Sequence, residues 1–225
     1  DYESTVYVND VPVNELEKWA KLESERFHGI VLRLFHTELE TVYEEFNMYQ
    51  DMDSQRQFQK MMINLFPTHP YGRDIIGFPQ HIKNPSMINI QKFFETFYVP
   101  NNLAVSLSGD INFEETIKLI DKYFGDLKYK ELPKIVQPVE EPIKKAIETE
   151  VVGPEAENVM MAYRLGGIGS NDQPYADIIN LILSNSQAGL IDLDLVQKQK
   201  VLSAGCFYYA LKDYGLLCFQ GNPLQ

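Results

Sequence analysis

The sequence predicts an α+β protein, because amphipathic helical patterns and segments with strand character both recur along its 225 residues. Hydrophobic residues make up 44% of the chain and aromatic residues 12%, which favours a packed core over intrinsic disorder. The formal net charge of −12 argues against a general nucleic-acid binder, which would present clustered Lys and Arg to phosphates. No uninterrupted apolar run approaches the length that spans a membrane.

The first part of the chain is predicted to be mostly helical, with two short strands. The segment 5–8 has strand composition, and 103–107 alternates apolar with small or polar residues. Asn112 and Glu115 have capping-box spacing at the start of a helix that Gly125 ends. Apolar residues recur at helical spacing in four further segments, around 16–27, 39–46, 58–66 and 90–97.

The segment 130–150 is predicted to be a linker, because three prolines lie among Lys and Glu without an apolar period. It divides the chain into residues 1–129 and residues 151–225. The later part predicts, in order, a strand near 158–165, a glycine turn, a helix through Tyr175, Ile178, Ile179 and Ile182, a helical stretch near 190–200, and strands near 202–210 and 216–219.

Two glutamates are the best candidates for chemistry. Glu38 and Glu45 are seven residues apart, about 700° on a helix, so they lie on one face. Such a pair could supply a metal ligand and a supporting carboxylate. A solvated acidic face is the other interpretation, in a chain with 32 acidic residues. His36 and Glu40, four residues apart, could also share a metal, although a histidine near a helix start is more often only exposed.

Other motifs favour structural roles. His69 begins a His-Pro-Tyr-Gly turn, where placing the loop is the simpler role than metal ligation. The glycines at 166–169 lack the following Lys-Ser/Thr of a phosphate loop and predict a turn. Cys206 and Cys218 are too few for a four-thiolate zinc site and fit core positions on neighbouring strands.

Four motifs occur in order along the chain: Tyr-Gly-Arg-Asp-Ile-Ile-Gly at 71–77, Tyr-Val-Pro-Asn-Asn at 98–102, Gly-Asp at 109–110 and Tyr-Phe-Gly-Asp-Leu at 123–127. With these motifs the chain resembles the pitrilysin/insulinase family of zinc metallopeptidases, which includes insulin-degrading enzyme and the mitochondrial processing peptidases. The match runs from about 6 to 127, and a looser match covers 157–219. The resemblance implies metallopeptidase-like α/β sandwich units, with sheets packed against helices, in two partial domains. Residues 1–129 would be the C-terminal part of a first, zinc-bearing domain, and 151–225 the N-terminal part of a second, non-catalytic domain.

The resemblance also implies site residues. The family builds its zinc site from His-x-x-Glu-His and a distant glutamate, which another glutamate precedes by seven residues. Glu45 corresponds to that zinc ligand and Glu38 to the accompanying glutamate. The 225 residues contain no His-x-x-Glu-His, so both histidine ligands and the general base are missing. We therefore expect a fragment of a longer domain, inactive alone and holding Zn²⁺ weakly or not at all.

The function implied is part of a zinc-dependent metalloendopeptidase that hydrolyses peptides or small unfolded proteins. The alternative is a non-catalytic scaffold or assembly subunit of the same family. A peptide substrate enclosed between two halves implies a second half on the same chain or a homologous partner subunit. The family's substrate-gripping Arg and Tyr correspond here to Val196 and Ser203, which agrees with a zinc-bearing half and equally with an inactive homologue. The compartment stays open, with the bacterial cell envelope or periplasm among the alternatives.

Overall fold

The computed structural model describes residues 1–224, which form helices and a small antiparallel sheet and confirm the α+β class. No described helix is long and apolar enough to cross a membrane. The helices are α1 (Leu16–His28), α2 (Phe35–Gln50), α3 (Asp53–Leu65), α4 (Pro79–Lys83), α5 (Met87–Phe97), α6 (Phe113–Phe124) and α7 (Asp172–Leu183). The strands are β1 (Val159–Gly166), β2 (Val201–Ala210) and β3 (Tyr214–Pro223).

The chain packs into two compact units that are not contiguous in sequence. The first unit combines Asp1–Thr5, Glu44–Gly77 and the described residues from Gln137 onward. The second unit combines Val6–Tyr43 and Phe78–Val136. Packing therefore groups α3 with the sheet, although more than 90 residues separate them in sequence. The division of the sequence at 130–150 stays a prediction.

The sheet of the first unit has the strand order β1-β3-β2, with both pairs antiparallel. Cys206 lies opposite Phe219, and Phe207 lies opposite Cys218. Because successive residues of a strand point to opposite faces, the two cysteines lie on opposite faces of the sheet. Both are buried and free, so their predicted place in the core of neighbouring strands is confirmed.

The core of the first unit joins α3 to one face of the sheet. Met62, Leu65 and Phe66 bring the apolar side of α3 and its end onto buried Leu216 and Cys218 of β3. Met62, Phe66, Leu216 and Cys218 are almost completely buried. Burial of the Met62, Phe66 and Leu216 side chains contributes about 1.5–3 kcal/mol each, so this cluster is the main apolar stabilisation of the unit.

The second unit is held by helix caps and an aromatic cluster. Asn112 accepts the Glu115 N–H at 3.1 Å and α6 stops at Phe124, as the capping pattern predicted. Tyr7 packs edge-on against Phe27 with ring centroids 5.6 Å apart, and Phe27 stacks on Tyr98 at 6.0 Å. The Tyr7 and Tyr98 hydroxyls are 2.9 Å apart, so the cluster ties the segment before α1 to the end of α5.

Three secondary-structure elements predicted from the sequence differ in the structure. The segments 5–8 and 103–107 form no strand, because no strand among residues 1–224 pairs with them. β-branched composition favours an extended chain, but a ladder also requires a partner. The helical stretch near 190–200 is shorter than predicted and is a π-helix, Asp192–Val196.

His28, the last residue of α1, joins that helix to the segment after α6. Its Nδ1 lies 2.6 Å from the Ser24 carbonyl oxygen, and its Nε2 lies 2.8 Å from Asp126 Oδ1. Both partners only accept hydrogen bonds, so the ring satisfies both contacts as the doubly protonated cation. The bond to the Ser24 carbonyl and then the contact with Asp126 raise the pKa of His28. The bond from His28 holds the pKa of Asp126 below its usual value.

We predict a pH window for this contact. The contribution of the His28–Asp126 contact to folding stability is fully present below the ordinary histidine pKa of about 6.5. It is lost as pH rises through the raised pKa of His28. On the acid side it is lost as pH falls through the lowered pKa of Asp126. Histidine NMR titration should give His28 a pKa above 6.5, which Asp126→Asn lowers. The exposed control Asp10→Asn should leave it unchanged, and an equal effect of both variants would contradict the contact.

Limited proteolysis should cut first within 130–150, and earliest within 133–139. Residues 133–139 are all exposed, whereas Lys130 is tied to Asn101 and Glu140 is buried. Exposed backbone without helix or strand enters a protease most easily. Mass spectrometry of early tryptic fragments should find cleavage after Lys134, and Lys134→Gln should delay it. A first cut inside α3 or the sheet would contradict this prediction.

Candidate functional site

The helix α2 carries both candidate glutamates. Its half-buried side consists of apolar residues at the predicted helical spacing, Leu39, Val42, Tyr43 and Phe46. Glu38 and Glu45 are both exposed, and their seven-residue separation on one continuous helix places them on the same face. One turn beyond Glu45, the Tyr49 hydroxyl donates to its Oε1 at 3.3 Å.

The residues present do not fit a complete zinc site. Catalytic zinc uses three protein ligands and one open position. Among residues 1–224, no group of three or more His, Cys, Asp or Glu side chains could hold a metal ion. Glu45 is therefore at most one ligand. His36 is exposed and packs its ring edge-on against Phe35, with centroids 6.0 Å apart, so the alternative pair with Glu40 gains no third donor in the described chain.

His69 has a structural environment, as its turn suggested. Only 2% of the residue is exposed. Its Nδ1 accepts the Tyr71 N–H at 3.2 Å, so the ring proton lies on Nε2, which donates to Asp213 Oδ2 at 3.3 Å. Its ring packs edge-on against Tyr71 and Tyr214, with centroids 4.2 and 5.3 Å away. With both nitrogens engaged inside the protein, His69 fixes the turn.

Local geometry also explains the proline and the glycine of the His-Pro-Tyr-Gly turn. Pro70 begins a single 3₁₀ turn, Pro70–Gly72, where its fixed φ suits the first position. At Gly72 a Cβ atom would lie 2.0 Å from the Phe66 carbonyl oxygen, so only glycine permits this approach to the end of α3. The turn therefore binds tightly to the core beside it.

A buried carboxylate that the sequence analysis missed holds this turn. Glu140 Oε1 accepts the backbone N–H groups of Thr68 at 2.8 Å and His69 at 2.6 Å. The Glu140 N–H donates to the Tyr214 hydroxyl at 2.8 Å. Burial raises the pKa of Glu140, but these N–H groups and Arg164 outweigh burial and hold the pKa below its usual value. Glu140 therefore stays ionised inside the protein.

Arg164 is the counterion of Glu140. Their side chains are only 8% and 2% exposed, and Arg164 Nη1 lies 3.7 Å from Glu140 Oε2. Arg164 also donates to the backbone carbonyls of Leu65 and Glu141, and its guanidinium lies over the Phe66 ring at 5.8 Å. One side chain of β1 thus joins the end of α3 to the segment around Glu140.

The start of the chain closes the same network. Glu3 accepts the Tyr71 hydroxyl and, at 2.7 Å, the Lys212 N–H. The Tyr71 hydroxyl accepts the Asp213 N–H at 3.1 Å. The hairpin turn between β2 and β3 is thereby fixed to the turn at Tyr71. Alternating or helical periodicity gives no signal for such contacts, because each partner lies in a loop.

The chain is similar to known proteases in sequence and in fold. The sequence profile described as "Peptidase M16 inactive domain" matches residues 88–223. The zinc protease PqqE of Helicobacter pylori is 30% identical over 162 residues, which are 69% of this chain and 36% of that protein. The beta subunit of the mitochondrial-processing peptidase of Dictyostelium discoideum is 25% identical over 122 residues, covering 54% of this chain and 25% of that protein.

A solved structure shows the same fold. The crystal structure of a protease from Helicobacter pylori aligns over 94% of this chain and 53% of its own, with a TM-score of 0.77 and 23% sequence identity. The chain spans about a third of the length of the first curated relative and a quarter of the second. The structural likeness confirms the predicted fold class.

Glu140→Ala should destabilise the first unit strongly. The substitution leaves the backbone N–H groups of Thr68 and buried His69 without this acceptor and Arg164 without its counterion. Removing one partner of a buried ion pair costs about 3–5 kcal/mol. Urea unfolding should show this loss, whereas the exposed neighbour Glu141→Ala should stay within about 0.5 kcal/mol of wild type. Equal stabilities of the two variants would show that Glu140 does not hold the turn.

Proposed function

Because the chain belongs to the M16 peptidase family, we propose that it is part of a zinc-dependent metalloendopeptidase that hydrolyses peptides or small unfolded proteins. The observation that carries the proposal is the pair Glu38 and Glu45 on one exposed face of α2. Two carboxylates at this spacing, in a chain of a peptidase family, are better explained by a shared site than by solubility.

In the parent protein, Glu45 would be one zinc ligand and Glu38 would orient it. The half-buried apolar side of α2 supports this assignment, because it fixes the helix and leaves the glutamate face accessible. The remaining ligands would come from polypeptide outside these 225 residues, since the described part offers no further converging donors. A carboxylate that acts through a ligand typically changes metal affinity or activity about 10–100-fold.

The proposed enzyme needs a second half. This chain covers only 36% and 25% of the two curated relatives, one of which is named as a subunit. We propose that the partner is either the remainder of the same polypeptide or a homologous subunit, and that the peptide substrate binds between the halves.

A non-catalytic scaffold or assembly role is the second candidate. The matching profile is described as an inactive domain, and the 225 residues contain no His-x-x-Glu-His. A scaffold would retain the packing of α2 but would not depend on the carboxylates of Glu38 and Glu45. The two candidates therefore differ in what glutamate substitution does.

Measurements of zinc content and peptide cleavage on the parent protein distinguish the metalloendopeptidase from the scaffold. Glu45→Gln should remove zinc and activity together, and Glu38→Gln should lower both by about 10–100-fold. Glu40→Gln is the matched control, because Glu40 is exposed on the same helix, about 200° around it from Glu38. It should leave both unchanged. The 225-residue chain alone should cleave no peptide.

The outcomes are distinct. A Glu45→Gln protein with full zinc and full rate would remove Glu45 from the metal site while leaving a peptidase. A wild-type parent protein with neither zinc nor cleavage would favour the scaffold. Equal losses in Glu45→Gln and Glu40→Gln would indicate a folding defect of α2, which circular dichroism would reveal.

A further inference from the structure

The segment 133–139 is not packed against the rest of the described structure. All of its residues are exposed. Its large apolar side chains, Ile135, Val136 and Val139, are 62%, 90% and 86% exposed. No backbone hydrogen bond joins 133–139 to another part of residues 1–224. A break of the chain inside this segment therefore removes no contact on which the fold depends.

The first unit is built from polypeptide on both sides of this segment. It combines three ranges, 1–5, 44–77 and the described residues from 137 onward. Its core joins the two sides, because Met62 and Leu65 of α3 pack with Leu216 and Cys218 of β3. Without α3, these side chains of the sheet would face water, so the sheet depends on a helix from the other side of the segment.

Hydrogen bonds also join the two sides. Glu140, which follows the segment, accepts the N–H of His69, which precedes it, at 2.6 Å. Arg164 of β1 donates to the carbonyl of Leu65 at the end of α3. The two sides of 133–139 are therefore held together by noncovalent contacts as well as by the peptide chain.

The second unit lies almost entirely on one side of the segment. It combines 6–43 with 78–136. A break after Lys134 would remove only Ile135 and Val136 from this unit, and both are exposed. The contacts that hold the second unit would remain within one piece of the chain.

We propose that 133–139 is a proteolytic processing site, and that cleavage after Lys134 converts the chain into a two-chain form in which residues 1–134 and 135–225 stay associated. Exposed backbone without helix or strand enters the active site of a protease most easily. The agent is a protease that cleaves after lysine. Hydrolysis adds one water across the bond between Lys134 and Ile135, leaving a carboxylate on Lys134 and an ammonium group on Ile135.

The lysines on either side of Lys134 are more restrained. The Lys130 Nζ donates to a backbone carbonyl of α5 at 3.1 Å. The segment 141–149, which contains the next two lysines, is tied at its ends by hydrogen bonds from Arg164 and Asn64. Lys134 therefore lies in the least restrained part of the segment between the two sides.

The inference uses contacts inside the first unit and none that involve Glu38 or Glu45. It requires no peptidase activity of this protein. It therefore stands or falls separately from the proposed function.

Limited trypsin digestion of the 225-residue chain, followed by native mass spectrometry, tests the proposal. We expect a complex with the mass of the intact chain plus one water, which separates into 1–134 and 135–225 in urea. The cut makes folding of the first unit bimolecular. The urea midpoint of the cut chain should therefore rise with protein concentration, whereas the midpoint of the intact chain should not.

Two matched variants test which contacts hold the pieces together. Glu140→Ala should weaken their association about 100-fold or more, because it removes one partner of a buried ion pair. Glu141→Ala, at the exposed neighbour, should change it less than about threefold. The measurements on the wild-type chain require no variant to fold, so they decide the proposal by themselves.

Each alternative outcome overturns the proposal. Pieces that separate in native buffer would exclude the two-chain form. A cut chain whose urea midpoint does not depend on concentration would mean that the pieces fold independently. First cleavage outside 133–139 would remove the processing site. Equal weakening by Glu140→Ala and Glu141→Ala would show that the contacts of Glu140 do not hold the pieces together.

Discussion

The buried carboxylate of Glu140 is the interaction on which the first unit depends. It satisfies two backbone N–H groups of the turn at His69 and neutralises Arg164, which also binds the end of α3. Unpaired, either charge would be strongly destabilising in such a place. Paired, the two charges join three segments that are distant in sequence, namely α3, the segment at 137–150 and β1.

The hydrogen bonds around Glu140 explain why His69 and Tyr71 have structural roles. His69 and Tyr71 are in a segment that resembles metallopeptidases, yet both side chains are engaged inside the protein. Their role is to hold the loop that follows α3 against the β2–β3 turn. The glutamates of α2 have the opposite character, because their carboxylates are exposed while the other side of the helix packs.

Local signals in the sequence predicted much of the architecture. The Asn112 cap, the apolar period of α3 and the strands on both sides of the β2–β3 turn are all present in the structure. The predictions of strands at 5–8 and 103–107 were wrong. A composition that favours an extended chain does not supply the neighbouring strand with which it must form hydrogen bonds. Glu140 was not found, since one glutamate among exposed linker residues has no periodic pattern.

The sequence by itself determined most of the helices and the three strands of the sheet, and it placed Glu38 and Glu45 on one face, because both depend on residue spacing of a few turns or less. Only the tertiary structure decided which side of α7 is buried, which carboxylate is ionised in the core, and which segments share a unit. Burial and pairing depend on residues far apart in the chain. The apolar period of α7 predicted a helix, but the sheet beneath α7 determines which side of the helix is buried.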